Sequence, residues 1–327
     1  MKTLDELCLD ASLSYCYFLV GKKHVVKQTN EVIKNINSIE FFQLKNFNNH
    51  YVGVLPRCHA RSFTVMNTII SEPASFFVQV ISFFTIMSII FFIKKKYTAV
   101  GRSEICYLYY LFAIFVIFSV VVENGVSPKS SSFYTLCVSI QLSLVNGCSI
   151  VLAFIGILPF KLWEDGSKKS LFFLKFLSLL AIIFSFCFLY FSFNKPINNM
   201  SFLSTPTAKN NAIILSTYMF NTIFATFFVF CEILTSLVLL KNYWILGGLI
   251  LGLFTFGVGQ ALIHFFSTFI CERTNHYIDG LFPLSITNLI TYMMIYKCWT
   301  IATTEDLEFG VNMDVGSDIC IQEQMLS

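Results

Sequence analysis

The sequence predicts an all-α polytopic membrane protein with about seven transmembrane helices, and two observations support that prediction. Hydrophobic residues make up 56% of the 327 residues and charged residues only 13%, against about 25% charged residues in an ordinary soluble domain. Apolar stretches also recur that are long enough to cross the hydrocarbon core, which takes about 20 residues of helix. They cover residues 73–93, 105–122, 133–160, 171–193, 212–240, 244–270 and 277–296.

Helix is the conformation that satisfies the backbone of such runs inside lipid. The runs 133–160 and 212–240 are longer than one straight span needs, so we expect tilted helices or ends that protrude into water. The pattern predicts three regions along the chain. They are an N-terminal tail over residues 1–72, a transmembrane domain over 73–298 and an acidic tail over 299–327.

Basic residues are divided unevenly between the two sets of connecting segments and predict the orientation. One set carries nine Lys and Arg residues and the other short loops carry four. Because cytosolic loops are enriched in Lys and Arg, the first set and the C-terminal tail are predicted to be cytosolic, and the N-terminal tail lumenal. The eight basic residues before Pro73 argue the other way, but long segments follow this rule weakly. The nine are Lys94, Lys95, Lys96, Arg102, Lys161, Lys168, Lys169, Lys241 and Lys297.

This topology makes two predictions about covalent modification. The one N-x-[ST] acceptor, Asn199, falls in the lumenal loop between the fourth and fifth spans and is a possible glycosylation site. Cys8, Cys16 and Cys58 would lie in an oxidising compartment. Cys8 and Cys16 close a short loop and are the pair we expect to form a disulfide, the alternative being that all three remain free thiols.

Catalytic and cofactor-binding motifs are absent from the sequence. There is no H-E-x-x-H, no G-x-S-x-G, no phosphate-binding loop and no Rossmann glycine pattern, and the five histidines are far apart. The acidic pair in Trp163-Glu164-Asp165-Gly166 is typical of a solvated turn. We therefore predict no enzymatic activity, no cofactor and no metal, and the net charge of +3 gives no reason to expect nucleic-acid binding.

Polar residues inside the predicted spans are the other candidates for function, because each is costly in lipid. We favour interhelical packing, with amide hydrogen bonds of about 1 kcal/mol each. The alternative is a transporter with a proton or substrate pathway through Glu232 and His264. In the sixth span Gly257, Gln260, His264 and Ser267 fall on one helical face. The candidates are Asn146, Asn221, Glu232, Gln260 and His264.

A seven-span receptor is the third interpretation, and the sequence disfavours it. The connection after the fifth span, residues 241–243, is too short to bind a G protein, and the seventh run lacks an N-P-x-x-Y motif.

Short motifs occur in a fixed order between about residues 52 and 310. They are GVLPRCHARS at 53–62, KYTAVGRSE at 96–104, ENGVSP at 123–128, LWEDG at 162–166, HYIDGLF at 276–282 and EDLEF at 305–309. Together these motifs resemble the fungal chitin synthase export chaperone family, and the Cys8 to Cys16 spacing is similar to the family's N-terminal cysteine pair. The chain departs from the family pattern at His59, at Lys129-Ser130 and at the acidic Glu232, which mark it as a divergent member.

The resemblance implies a multi-pass protein of the endoplasmic reticulum membrane that helps a polytopic chitin synthase fold and leave that compartment. The implied partners are the chitin synthase and the lipid bilayer, with no need for a nucleotide. In the cytosolic tail, Asp306 and Glu308 resemble a di-acidic export signal of the type that vesicle coat proteins select. The alternative is an acidic helix end that leaves the membrane.

Overall fold

A computed structural model shows a helical bundle with one short hairpin at one end. It describes residues 4–18, 56–58, 60–65, 68–97, 99–125, 131–160, 168–193, 213–241 and 243–325, with side chains of the last helix described as far as Thr303. The N-terminal part contains helix α1 (Leu4–Asp10), a 3-10 turn (Ser14–Phe18) and the antiparallel strands β1 (Phe63–Val65) and β2 (Thr68–Ile70). The remaining helices are α2 (Pro73–Lys95), α3 (Arg102–Glu123), α4 (Ser132–Ile157), α5 (Lys168–Phe193), α6 (Phe220–Leu234), α7 (Tyr243–Phe265), α8 (Ser267–Arg273) and α9 (Leu281–Met325).

In the described part of the chain, six helical stretches are long and apolar enough to cross a membrane. They are Pro73–Lys95, Arg102–Glu123, Ser132–Phe160, Lys169–Phe193, Ile214–Leu239 and Tyr243–Phe265. The prediction of a polytopic helical protein is confirmed to this extent. The seventh predicted run, 277–296, lies largely in α9, whose first turns carry Thr287, Asn288 and Thr291 and are less apolar than the other six. That α9 spans the membrane therefore stays a prediction.

Local sequence explains where several helices begin. Pro73 occupies the first turn of α2, where its missing N–H costs nothing. The Ser131 hydroxyl caps α4 by accepting a hydrogen bond from the N–H two residues further on, at 3.1 Å. The Asp279 carboxylate caps α9 by accepting from the Leu281 N–H at 2.9 Å. Gly101 precedes α3 with φ of +67°, a left-handed conformation that glycine adopts without strain.

Two predicted runs differ from single regular helices. The run 244–270 is divided at Phe266, where φ of −115° and ψ of 1° end α7 and the short helix α8 begins. The run 212–240 is one continuous stretch, but π-helical turns at Ile214–Met219 and Thr235–Leu239 flank α6. The wider π turns rotate the ends of this stretch relative to a regular α-helix.

Helix α4 lies at the centre of the bundle and packs against α3, α5 and α6. Of the 18 most apolar consecutive residues of α4, 61% are buried, against 22% for α5, 17% for the stretch around α6 and 22% for α7. Helix α9 closes the bundle by packing on both α7 and α2. The buried Tyr109 hydroxyl of α3 donates to the Tyr292 carbonyl of α9 at 2.6 Å. Helices α3 and α4 are therefore the most buried spans, and α5, the stretch around α6 and α7 are the least buried.

Small residues allow α7 to approach α9 closely. A Cβ at Gly248 would lie 3.0 Å from the Cys298 Sγ, and one at Gly259 would lie 2.0 Å from the Thr287 Oγ1. Gly257, by contrast, has no atom within 4 Å of its Cβ position. The face of α7 that packs on α9 thus excludes Gly257, which the sequence grouped with the polar residues of this span.

Gly259 and Gly257 provide a matched test of the α7–α9 contact. Gly259→Ala should destabilise the protein, because the new methyl group overlaps Thr287 and overpacking costs about 1–3 kcal/mol. Gly257→Ala should be neutral or stabilising, since alanine favours a helix by about 1 kcal/mol over glycine. Thermal unfolding in detergent micelles measures both. Equal melting temperatures for the two variants would contradict this packing.

Candidate functional site

The N-terminal segment packs into one end of the bundle. Cys8 and Ala11 are fully buried, and Tyr15 and Cys16 are buried to within a few per cent. The Phe18 ring stacks on the ring of the last residue of α5, with 4.4 Å between centroids. Residues 4–18 are therefore part of the folded bundle, which the polar composition of the N-terminal region does not reveal.

Hydrogen bonds attach this segment to three of the helical stretches. The Tyr134 hydroxyl of α4 donates to the Ser14 carbonyl at 3.2 Å. The Thr268 hydroxyl of α8 donates to the Asp10 side chain at 3.4 Å. The hydroxyls of Tyr15 and Tyr218 share a hydrogen bond next to α6. Burial, followed by the proximity of Tyr218, raises the pKa of Tyr15 well above its ordinary value, so its hydroxyl stays neutral and can donate.

A group of polar side chains lies beneath this segment, and we call it the polar junction. It connects the N-terminal segment, the residues before α2, helices α2, α3 and α4, and the start of α9. Its three carboxylates lie within hydrogen-bond distance of neutral hydroxyl or amide donors. The buried Ser75 hydroxyl links the two parts of the junction, because it lies 3.3 Å from the Glu72 Oε2 and 3.5 Å from the Asn124 Oδ1. The members of the junction are Ser12, Glu72, Ser75, Gln79, Glu123, Asn124, Gln141 and Asp279.

Glu123 receives donors from two helices. The Gln141 Nε2 donates to the Glu123 Oε1 at 3.0 Å, and the Gln79 Nε2 donates to the other oxygen. The Asn124 Nδ2 donates in turn to the Gln79 Oε1 at 3.1 Å. Because Asn124 is fully buried, these amide contacts satisfy polar groups that would otherwise be costly.

The other two carboxylates meet at the N-terminal segment. The Ser12 hydroxyl lies 2.7 Å from the Asp279 Oδ2 and 3.4 Å from the Glu72 Oε1. Both carboxylates are buried, at 2% and 6% exposure. Each carboxylate is within hydrogen-bond distance of hydroxyl or amide groups. The polar junction therefore joins segments that are far apart in the sequence.

Sequence reasoning missed the polar junction, although its signals were present. Glu123 and Asn124 open the ENGVSP motif, and Asp279 lies in HYIDGLF. Gln79 and Gln141 lie inside predicted spans, where an amide needs a partner. The motifs were visible, but their convergence at one end of the bundle follows only from the helix order.

Two disulfides lie at the same end of the bundle. The structure joins Cys8 to Cys16, the pair expected from the sequence, and Cys58 to Cys271, which are 213 residues apart. The second disulfide attaches the segment before β1 to α8. Sequence spacing gave Cys58 no partner, because Cys271 directly follows the apolar run 244–270 and lies 213 residues further along the chain.

His276 lies beside the second disulfide. Its Nδ1 is 3.1 Å from the Cys58 Sγ and 3.7 Å from the Cys271 Sγ. These three residues are close enough to share a metal ion. However, the ligand form of cysteine is the thiolate, and the disulfide uses both sulfur atoms.

The predicted polar residues Asn146 and Asn221 connect α4 to its neighbours. The buried Asn146 Nδ2 donates to the Ser185 Oγ of α5 at 2.9 Å and to the Ser216 Oγ at 3.0 Å. The Ser149 hydroxyl of α4 donates to the Asn221 Oδ1 of α6. These contacts are the interhelical hydrogen bonds that the packing interpretation describes.

Glu232 and His264 do not form a pair. The His264 ring lies beside Tyr218, with 6.0 Å between centroids. Glu232 lies 14 residues after Tyr218 in the same helical stretch, or about 21 Å along its axis at about 1.5 Å per residue. Gln260 is half-buried on α7. The geometry therefore gives no support to a proton pathway that links Glu232 to His264.

Other predicted sites lie outside the described residues. These are the motif loop Trp163, Glu164, Asp165 and Gly166, and the glycosylation candidate Asn199. Asp306 and Glu308 belong to the backbone of α9, but their side chains are outside the described part of the chain.

Comparison with known proteins decides the family. The model of the chitin synthase export chaperone family matches residues 1–313 of this chain. The chain belongs to this family. It is 38% identical to the chitin synthase export chaperone of Saccharomyces cerevisiae over 313 residues, covering 96% of this chain and 95% of the relative. The Candida albicans relative is 33% identical, covering 94% of this chain and 91% of its own length. No solved structure matches significantly.

The family match includes the N-terminal segment, both disulfides and every member of the polar junction. The Kluyveromyces lactis relative is 36% identical over 310 residues, covering 95% of this chain and 94% of its own length. Family membership therefore applies to the whole folded bundle, including residues 4–18.

A substitution in the polar junction tests its contribution to stability. Gln141→Leu removes the donor to Glu123 and should lower the free energy of unfolding by roughly 1–3 kcal/mol, the usual penalty for a buried group left unsatisfied. Gln260→Leu is the matched control, because Gln260 makes no side-chain hydrogen bond within the described ranges. Unfolding in micelles should show a loss for the first variant only. A neutral Gln141→Leu would contradict the role of the junction.

Proposed function

We propose that this protein is a chaperone of the endoplasmic reticulum membrane that helps a polytopic chitin synthase fold and leave that compartment. The observation that carries the proposal is the family match over residues 1–313, together with relatives named chitin synthase export chaperones at 33–38% identity. Such a protein supports cell-wall chitin synthesis without performing chemistry itself.

The distribution of burial supports a role in binding a membrane client. Helices α5, α6 and α7 are the least buried of the spans, and they present large side chains outward. Phe184, Phe230 and Phe254 are each more than half exposed. Because lipid tails are as apolar as these side chains, a client helix can exchange with lipid at this surface at low cost. We infer that the client packs on the exposed faces of α5, α6 and α7.

Deletion of the gene in its own host tests the chaperone function. A tagged chitin synthase should accumulate in the reticulum, and the cells should become resistant to a chitin-binding dye. Reintroducing the wild-type gene should restore both, and an unrelated plasma-membrane protein should travel normally throughout. Normal arrival of the synthase at the cell surface in the deletion strain would contradict the proposal.

We also propose that residues 1–72 are lumenal and residues 299–327 cytosolic, with α9 as a seventh span. Two observations support this orientation. Both disulfides lie at the end of the bundle that carries the N-terminal segment, and disulfides persist in oxidising compartments. The basic residues Lys94, Lys95 and Lys297 lie at the opposite end, as expected for cytosolic loops.

Protease treatment of sealed microsomes tests this orientation. An epitope added after Ser327 should be digested, whereas an epitope added before Met1 should be protected until detergent opens the membrane. Asn199 would then also be lumenal and open to glycosylation. Digestion of the N-terminal epitope in sealed vesicles would show the orientation to be wrong.

The acidic tail is proposed to bind vesicle coat proteins through Asp306 and Glu308. The family role in export and the di-acidic pattern support this proposal. Asp306→Ala with Glu308→Ala should slow exit of the protein from the reticulum. Asp314→Ala with Asp318→Ala removes the same charge from the same tail and should leave exit unchanged. If both pairs behave like the wild type, the tail is only an acidic helix end.

A further inference from the structure

A cavity of about 550 Å³ lies between α4, α6, α7 and α9, at the end of the bundle opposite the disulfides. Its walls are mainly aliphatic and aromatic side chains, such as Ile155 of α4, Phe228 of α6 and Leu253 of α7. It extends from Trp299 at the edge of the bundle to Phe256, which lies deeper in the spans. Nothing in the chaperone role assigns an occupant to it.

The volume limits what the cavity can hold. A spanning helix is about 10 Å wide and about 30 Å long, and it needs far more room than this cavity offers. Pockets of about 300–1,000 Å³ instead take a single ligand of small-molecule size. The cavity therefore fits one elongated apolar group and excludes a transmembrane helix of a client.

The mouth of the cavity is positively charged. The Trp299 indole lines the mouth, and its Nε1 donates to the Val100 carbonyl at 3.1 Å. The Lys96 ammonium lies over the Trp299 ring, 5.5 Å from its centroid. Burial and the nearby ammonium of Lys297 lower the pKa of Lys96. Two neighbouring ammonium groups repel each other, and an anion between them would relieve that repulsion.

We propose that this cavity binds an anionic phospholipid, with one acyl chain inside the cavity and the phosphate between Lys96 and Lys297. An apolar cavity beneath a cationic mouth matches the two parts of such a lipid. The proposed orientation places the mouth in the cytosolic leaflet, where anionic lipids attract basic residues. Binding itself does not depend on the chaperone role, so it can be measured on the isolated protein.

Glu232 distinguishes an anionic lipid from a basic client segment as the occupant of the cavity. Among the described residues, its carboxyl group is the one acidic side chain that lines the cavity. A basic client segment would pair with this carboxylate, whereas an anionic lipid gains nothing from it. Glu232→Gln should therefore leave lipid binding unchanged or strengthen it.

The experiment uses the full chain in detergent micelles, titrated with dioleoyl phosphatidylserine or dioleoyl phosphatidylcholine and followed by native mass spectrometry. The wild type should prefer the anionic lipid by on the order of tenfold, because each basic residue near a headgroup adds severalfold. A phosphatidylserine with a photoreactive acyl chain should label residues of α6 and α7 that line the cavity. Equal binding of the two lipids by the wild type would overturn the proposal.

Three variants give the decisive comparison. Lys96→Gln with Lys297→Gln should abolish the preference, while Lys94→Gln with Lys95→Gln removes two charges from the same end and should keep it. Val229→Phe, which fills the cavity from α6, should reduce labelling with the mouth intact. Equal losses in both lysine pairs, or unchanged labelling of Val229→Phe, would overturn the proposal. Loss of binding in Glu232→Gln would do so too, in favour of a cationic occupant.

Discussion

The fold depends on three carboxylates held by hydrogen bonds at one end of a membrane bundle, two of them buried and that of Glu123 half-buried. Glu72, Glu123 and Asp279 come from widely separated parts of the sequence, yet all three belong to the polar junction. A buried carboxylate is stable only where donors surround it. Because those donors come from the N-terminal segment, α2 and α4, the end of the bundle can close only when all of these segments are in place.

This arrangement suits a protein that assists another membrane protein. Polar contacts and two disulfides are concentrated at one end, where they join the N-terminal segment to α2, α3, α4, α8 and the start of α9. Helices α5, α6 and α7 are then left with exposed apolar surfaces. Under the proposed function, these weakly buried helices are the surfaces on which client helices would pack.

The sequence predicts the bundle well because hydropathy reports directly on the bilayer. Six of the predicted runs match helices of suitable length and composition. Glycine contacts are harder to predict: Gly257 and Gly259 are two residues apart, and only the rotation of α7 decides which one meets Thr287. Long-range pairs are hidden as well. Nothing local to Cys58 indicates Cys271, and the junction residues are brought together only by the order and direction of the helices.

Residues 4–18 belong to the folded bundle because the polar junction and the buried N-terminal side chains hold them there. Hydrogen–deuterium exchange of the full chain in micelles measures this most directly. The amides of Cys8, Leu9, Ala11 and Cys16 should exchange as slowly as those at the end of α3, because these residues are buried and their N–H groups lie in helical turns past the first, unbonded turn of α1. Exchange of residues 4–18 at the rate of an unstructured peptide would contradict this packing.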